Sequence, residues 1–260
     1  MARFKLTLEY DGSAYHGWQL LKGHSSVQGK IMDACREVFK TDKFELYGSG
    51  RTDAGVHALG QVAHLDVATS LTPAQVRFKL NDCLPSSIAI LFVEEADAKF
   101  HARYDAVARS YIYQIATRKT AFAKKYAYWV KDDLNVGNMQ AAAELMVGLK
   151  DYASFGDKDA ETKSTMVEVV SVQVYRDGES IIVHVVGSHF LWKMVRRMVG
   201  VLIEVGRGNI GAAKFKSFFE QRSSEPALYT VPPSGLYLEK VYYSGEKVSA
   251  VRPISLMYIR

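Results

Sequence analysis

The stretch Phe44-Glu-Leu-Tyr-Gly-Ser-Gly-Arg-Thr-Asp-Ala-Gly-Val-His-Ala-Leu-Gly-Gln-Val-Ala-His-Leu-Asp-Val67 decides how the chain is read. Its ends, Phe44 to Tyr47 and Gln61 to Val67, look like strands, and a polar, glycine-rich segment from Gly48 to Gln61 joins them. Working outward, Phe4, Leu6, Leu8 and Tyr10 alternate with Lys5, Thr7 and Glu9 before Asp11-Gly12. That is a half-buried strand ending in a turn. Ser25-Ser-Val-Gln28 reads as a capping box, and Val27, Ile31, Ala34, Cys35 and Val38 follow it at helical spacing. A helix from Thr72 to about Leu84 and a strand from Ile88 to Glu94 complete the pattern. The first hundred residues therefore predict βαββαβ, the order of a ferredoxin-like unit.

A second round follows. It comprises a strand from about Ala108 to Ala116, a helix from about Asn138 to Met146, and a hairpin of Val169–Tyr175 with Ile181–Val186 around Asp177-Gly178. A helix from about His189 to Val205 and a strand from Leu236 to Tyr242 close it. Two α+β halves of similar element order imply a structural duplication, although no residue-level repeat is visible. The halves are expected at residues 1–104 and 105–260, packed closely, because no low-complexity linker separates them.

Composition narrows the function classes. Forty-eight per cent of the 260 residues are hydrophobic and 23% charged, which excludes a disordered chain. At this length roughly 70–75% of the surface can be buried, so no staple is required. Two cysteines, Cys35 and Cys83, cannot make a four-ligand zinc site and read as small core residues in a reducing compartment. The alternating N-terminus is unlike a signal peptide, and the longest apolar run, Ile88 to Val93, is too short for a bilayer. A cytoplasmic protein is the expectation. The net charge of +5 is unevenly spread: +5 falls on residues 101–130, −5 on 131–190 and +6 on 191–260. Two cationic blocks around an acidic one describe a polarised surface able to concentrate a polyanion.

The Gly48–Gln61 segment is the densest feature. Four glycines allow close backbone approach to a ligand, and Arg51, Thr52, Asp53 and His57 lie among them. Three readings compete: a hairpin loop with Arg51 paired to Asp53, a phosphate cradle, and a carboxylate nucleophile held ionised by a nearby cation. The cradle is the poorest, because the loop lacks a Gly-Lys-Ser/Thr ending and the next residues alternate as a strand. Pattern alone does not choose between the other two.

Resemblance does. Tyr10-Asp-Gly-Ser-Ala-Tyr-His-Gly-Trp-Gln19 and Gly50-Arg-Thr-Asp-Ala-Gly-Val-His57 resemble the TruA family of tRNA pseudouridine synthases. So do Phe100-His-Ala-Arg103, Ala108-Arg-Ser-Tyr-Ile-Tyr113, Met194-Val-Arg-Arg-Met-Val-Gly200 and Gly235-Leu-Tyr-Leu238. The blocks occur in the family's order from residue 3 to about 243. Ser49 departs from the family, which often has alanine there.

The resemblance implies isomerisation of uridine to pseudouridine in the anticodon stem-loop of tRNA, at positions 38, 39 and 40. It makes Asp53 the essential aspartate, acting at C1′, at C6 or on the C2′ proton. Arg51 would hold the extruded nucleotide, whose unstacking costs a few kcal/mol. Tyr111 would stack on the target base, and Leu236 would wall the site against water. On the helix around Arg196 an apolar stripe of Met194, Val195, Met198, Val201, Leu202 and Val205 opposes Lys193, Arg196, Arg197, Gly200 and Glu204. A solvated basic face is the default reading; the resemblance selects Arg196 as partner of the aspartate and leaves Lys193 and Arg197 to contact phosphate. Tyr113 reads as structural, as do His57, His64 and His101, whose spacing fits no metal template. No metal or small-molecule cofactor is expected. The implied architecture is two ferredoxin-like or RRM-like halves whose antiparallel sheets join into one, with the catalytic cleft between them, in a homodimer that binds tRNA and no membrane. Rival readings are the same chemistry at other RNA uridines, a non-catalytic RNA-binding module, and a glycosidase, which would need a second carboxylate.

Overall fold

The computed structural model describes residues 1–157 and 164–247; residues 158–163 and 248–260, inside the expected C-terminal half, lie outside the described residues. The fold is α+β with mostly antiparallel strands. The chain divides into two compact units, Met1–Val107 with Tyr237–Lys247, and Ala108–Leu236.

The first unit runs β1 (Ala2–Tyr10), α1 (Val27–Phe39), β2 (Phe44–Gly48), β3 (His57–Val67), α2 (Pro73–Cys83) and β4 (Ile88–Glu95). Strand β1 lies antiparallel between β4 and β3, with Leu6 opposite Val93 and Ala63, and β2 pairs with β3 through Leu46 opposite Leu65. The order β4-β1-β3-β2 follows from the βαββαβ sequence and is that of a ferredoxin-like sheet. A late strand, β10 (Leu236–Tyr243), adds Tyr237 and Leu238 in parallel beside His57 and Ala58, at the end of β3 that β2 does not reach.

Alternation on β1 sends Phe4, Leu6, Leu8 and Tyr10 into the core, against Val27, Ile31, Ala34 and Cys35 of α1 and Val76 and Leu80 of α2. Cys35 behaves as the core residue expected, its thiol pushed up to about 12 by burial. Cys83 is only half-buried, and both thiols are free. Strand β3 starts at His57, four residues before the expected Gln61, so the end of the glycine-rich segment is strand. It is buried on both faces from Gln61 to Val67 because the 100–102 segment covers it: the Ala102 amide donates to His64 Nδ1 at 3.2 Å. Asp66, on the same strand, is ion-paired with Arg3.

The cap of α1 differs from the expected box. Ser26, not Ser25, accepts from the Gly29 amide, and Gln28 instead bridges outward, accepting from the Leu20 amide and donating to the Leu46 carbonyl, both at 2.9 Å. A true capping box occurs at α2, where Thr72 and Gln75 satisfy each other's backbone amides ahead of Pro73.

The second unit contains β5 (Ala106–Ala116), β6 (Tyr128–Trp129), α3 (Val136–Glu144), β7 (Gly148–Asp151), β8 (Met166–Asp177), β9 (Ser180–Gly187), α4 (Met194–Gly206), α5 (Ala212–Glu220) and the single-turn α6 (Glu225–Leu228). Strands β5-β9-β8-β7 are antiparallel neighbours, and β6 runs parallel to β5. Helix α4 starts at Met194 rather than near His189, because Lys193 takes a left-handed conformation (φ 62°) that cannot continue a helix.

Helix α4 is not amphipathic in its setting. Arg197, Gly200 and Ile203 are buried along with the apolar stripe. The reason is at Gly200, where a Cβ would collide with the Tyr229 carbonyl: the missing side chain lets the 229–231 segment lie on the face that reads as polar. Helix α5 was not legible beforehand. It carries Phe218 and Phe219 onto Tyr152 and Phe155, with Phe155 and Phe219 stacked at 5.0 Å and Phe215 against Phe219. No helix among the described residues is long and apolar enough to cross a membrane.

Candidate active site

The backbone of the loop between β2 and β3 is fixed by hydrogen bonds at several points. The Ser49 amide donates to the Val62 carbonyl at 2.7 Å, and the Gln61 side chain bonds the Gly50 backbone in both directions. The remaining anchors come from residues 10–18. The Thr52 carbonyl accepts from the Trp18 amide at 3.1 Å, the Gly55 amide donates to the Tyr15 carbonyl at 3.2 Å, and Thr52 Oγ1 meets the Tyr10 hydroxyl at 2.8 Å. The Val56 amide closes a turn onto the Asp53 carbonyl.

Two glycines make this contact possible. A Cβ on Gly12 would collide with the Val56 carbonyl, and one on Gly17, whose φ is +91°, with the Thr52 carbonyl. The Tyr10–Gln19 block thus has a physical role that spacing alone did not reveal: it is the cradle of the Asp53 loop. Thr52 and Val56 are turned into the protein, Asp53 is half-exposed and Arg51 is exposed, so the two charged side chains occupy the open side of a fixed loop.

His57 and His64 are both buried. His57 Nδ1 accepts from the Gly12 amide at 3.1 Å, so that nitrogen carries no proton, and its ring stacks on Tyr237 at 4.7 Å. Asp11 Oδ1 lies 3.2 Å from the same nitrogen but accepts from the Ser13 amide and hydroxyl. His64 is buried under Ala102, and burial, with the His101 and Arg3 charges, brings its pKa down to about 4. Among the described residues no group of three or more His, Cys, Asp or Glu could hold a metal ion.

The second unit positions the other predicted residues. Tyr111, opposite Val185 on β9, is 9% exposed and meets Phe190 edge-on at 5.1 Å. The 188–190 segment lies over this face of β5, since Arg109 Nη1 also donates to the Ser188 carbonyl. Tyr113 is wholly buried and donates to the Pro232 carbonyl at 2.8 Å; burial keeps its phenol far above the usual range. Leu236, also buried, opens β10.

The three cations near α4 have different settings. Arg196 is half-buried, its Nε donating to the Val231 carbonyl at 2.8 Å. Lys193 places its ammonium 3.9 Å from the centre of the Trp192 ring. Arg197, expected at phosphate, is 7% exposed and forms a bidentate pair with Asp157, at 3.0 and 2.6 Å. Backbone bonds between Asp157 and Trp192 fix that pair at the start of α4. A guanidinium so committed anchors the 157 segment and is poorly placed to bind a phosphate.

The family model described as tRNA pseudouridine synthase matches residues 7–105 and 142–244. The chain belongs to the tRNA pseudouridine synthase family, a class of isomerases. It is 37% identical to tRNA pseudouridine synthase A of Geobacillus kaustophilus over 94% of this chain and 95% of that protein. To the proteins of the same name from Ehrlichia chaffeensis and Anaplasma marginale it is 38% and 41% identical, over 93% of this chain and all of each relative. Among solved structures, an H/ACA ribonucleoprotein bound to a substrate RNA containing 2′-deoxyuridine matches with a TM-score of 0.36 and 9% identity, over 77% of this chain and 44% of that one.

Proposed function

We propose that this chain isomerises uridine to pseudouridine at positions 38, 39 and 40 of the tRNA anticodon stem-loop, with Asp53 as the catalytic carboxylate. The observation that carries the reading is the Asp53 loop itself: a half-exposed carboxylate on backbone pinned at Ser49, Thr52, Gly55 and Val56. Such a carboxylate is held in place before substrate arrives, which is what orientation-dependent catalysis requires.

The reaction breaks N1–C1′, turns the uracil and joins C5 to C1′; C5 gives up a proton and N1 gains one, so atoms and electrons balance without a cofactor. Attack at C1′, addition at C6 and removal of the C2′ proton all use the same carboxylate group. Arg51, exposed beside Asp53, supports the extruded nucleotide by stacking and phosphate bonding. Tyr111 stacks on the base and Leu236 excludes water. By resemblance to the family Arg196 is the partner of the aspartate, and Lys193 contacts phosphate. Arg197 is left out of the phosphate-binding set because Asp157 occupies it. Family resemblance supports a homodimer working in the cytoplasm.

The test is incubation of unmodified tRNA transcripts with the protein, then mapping of pseudouridine by carbodiimide block of primer extension. Stops at 38–40 that vanish with Asp53→Asn are expected. Stops elsewhere would preserve the chemistry and overturn the target; none at all would overturn both.

A further inference from the structure

The loop from Thr117 to Tyr126 is absorbed by none of the roles above, yet it carries the densest positive charge in the chain. From Ala106 to Lys131 there is no Asp or Glu, and six cations. Four of them, Arg118, Lys119, Lys124 and Lys125, are exposed in this one loop. Between them Phe122 is 84% exposed, and Trp129, on the adjoining β6, is 42% exposed with the Lys119 ammonium 5.9 Å from its ring centre.

The loop is ordered at its base. Ala116, Ala123 and Ala127 bury together, and the Tyr126 and Ala127 amides both return to the Ala123 carbonyl at 2.8 Å. The Val130 amide donates to the Ala116 carbonyl, and Gln114 donates to the Tyr126 carbonyl. Glu179 of the β8–β9 turn is engaged with Thr117 at the edge of the loop. Phe122 therefore projects from a fixed alanine foot and forgoes the burial that a core position would give it. Cations interleaved with an exposed aromatic ring match a nucleic-acid backbone with an unpaired base: phosphates meet the cations, and the base stacks on the ring.

We propose that the Thr117–Tyr126 loop is an RNA-docking surface, in which Arg118, Lys119, Lys124 and Lys125 contact phosphates and Phe122 stacks on an unpaired base. The proposal rests on the reading of tRNA as substrate and adds a second place where that RNA is held.

The experiment measures filter binding of an unmodified tRNA transcript between 50 and 200 mM salt, alongside pseudouridine formation. Combining Lys119→Ala, Lys124→Ala and Lys125→Ala should weaken binding on the order of tenfold or more and flatten the log–log salt slope by about two. A control triple, Lys30→Ala, Lys43→Ala and Lys79→Ala, should shift the dissociation constant less than about threefold and leave the slope nearly intact. Phe122→Ala should weaken binding roughly tenfold and Phe122→Trp restore it. Equal effects of the two triples, or no effect of the loop triple, would overturn the proposal. So would a change of oligomeric state with the affinity per protomer preserved, which would make the loop an interface between copies. A wild-type protein that binds tRNA without turnover would sink the proposed function and leave the docking surface standing; one that does not bind tRNA would sink both.

Discussion

The loops after β2 and after β5 both leave a strand and expose charged side chains, but they are held in opposite ways. Around Asp53 the backbone itself is bonded at four points, two of them to Tyr15 and Trp18 some 34 to 40 positions away, and glycines bring the two segments into contact. Around Phe122 three alanines fix only the foot, and the long side chains reach out from it. In the proposed function, a group that must meet one atom of its substrate is positioned through main-chain bonds. Groups that must meet a charged polymer gain more from reach than from placement, since a displaced lysine still finds a phosphate.

The contrast can be attacked at several strengths. Asp53→Asn should cost activity roughly a thousandfold or more while the fold and tRNA affinity persist, and steady turnover by a clean mutant would end the assignment. Gly12→Ala leaves every proposed catalytic group in place yet pushes against the Val56 carbonyl. Turnover should fall about a hundredfold with a lower melting temperature, as misplacement near 1 Å does elsewhere; near-normal turnover would show that the cradle is not what positions the carboxylate.

Arg197→Ala separates anchoring from RNA contact. Its loss should lower stability by about 1–3 kcal/mol in denaturant titrations, with tRNA affinity changed less than about twofold. A weakened, less salt-sensitive complex at unchanged stability would restore Arg197 to the RNA surface.

The smallest effect concerns pH. His64 sits near 4 in the folded protein against an ordinary 6.5. On acidification the unfolded chain takes up this proton first, so the contribution to stability is whole above about pH 6.5 and fades between about 6.5 and 4. His64→Asn should flatten the melting curve in that window only. The later loss, as pH drops below 3.8, belongs to Asp66, whose carboxyl the bond from Arg3 holds down. An unchanged curve between 6.5 and 4 would detach His64 from stability.

The order βαββαβ was legible because period-two and period-3.6 patterns alternate cleanly over the first hundred residues, and the Asp53 block was legible because its residue types are so specific. Other features depend on partners remote in sequence. The burial of α4 is decided by a segment some thirty residues on, with Gly200 as its only local sign. Arg197 looks like any basic-face arginine until Asp157 is brought beside it. The Ser25–Gln28 spacing pointed to the wrong serine as cap of α1, because Gln28 is engaged with Leu20 and Leu46 instead. The aromatic packing of α5 joins rings from residues 152 to 219, a spacing no periodicity reports.

The pairing of β10 with the start of β3 has a consequence in time. His57, directly after the Asp53 loop, is stacked on Tyr237, which leaves the ribosome 180 residues later. At synthesis rates of about 5–20 residues per second, that is a wait of roughly ten to forty seconds. Throughout it, the nascent chain holds its aspartate without the neighbouring floor. The loop that carries the proposed catalytic aspartate is thus completed only as β10 emerges.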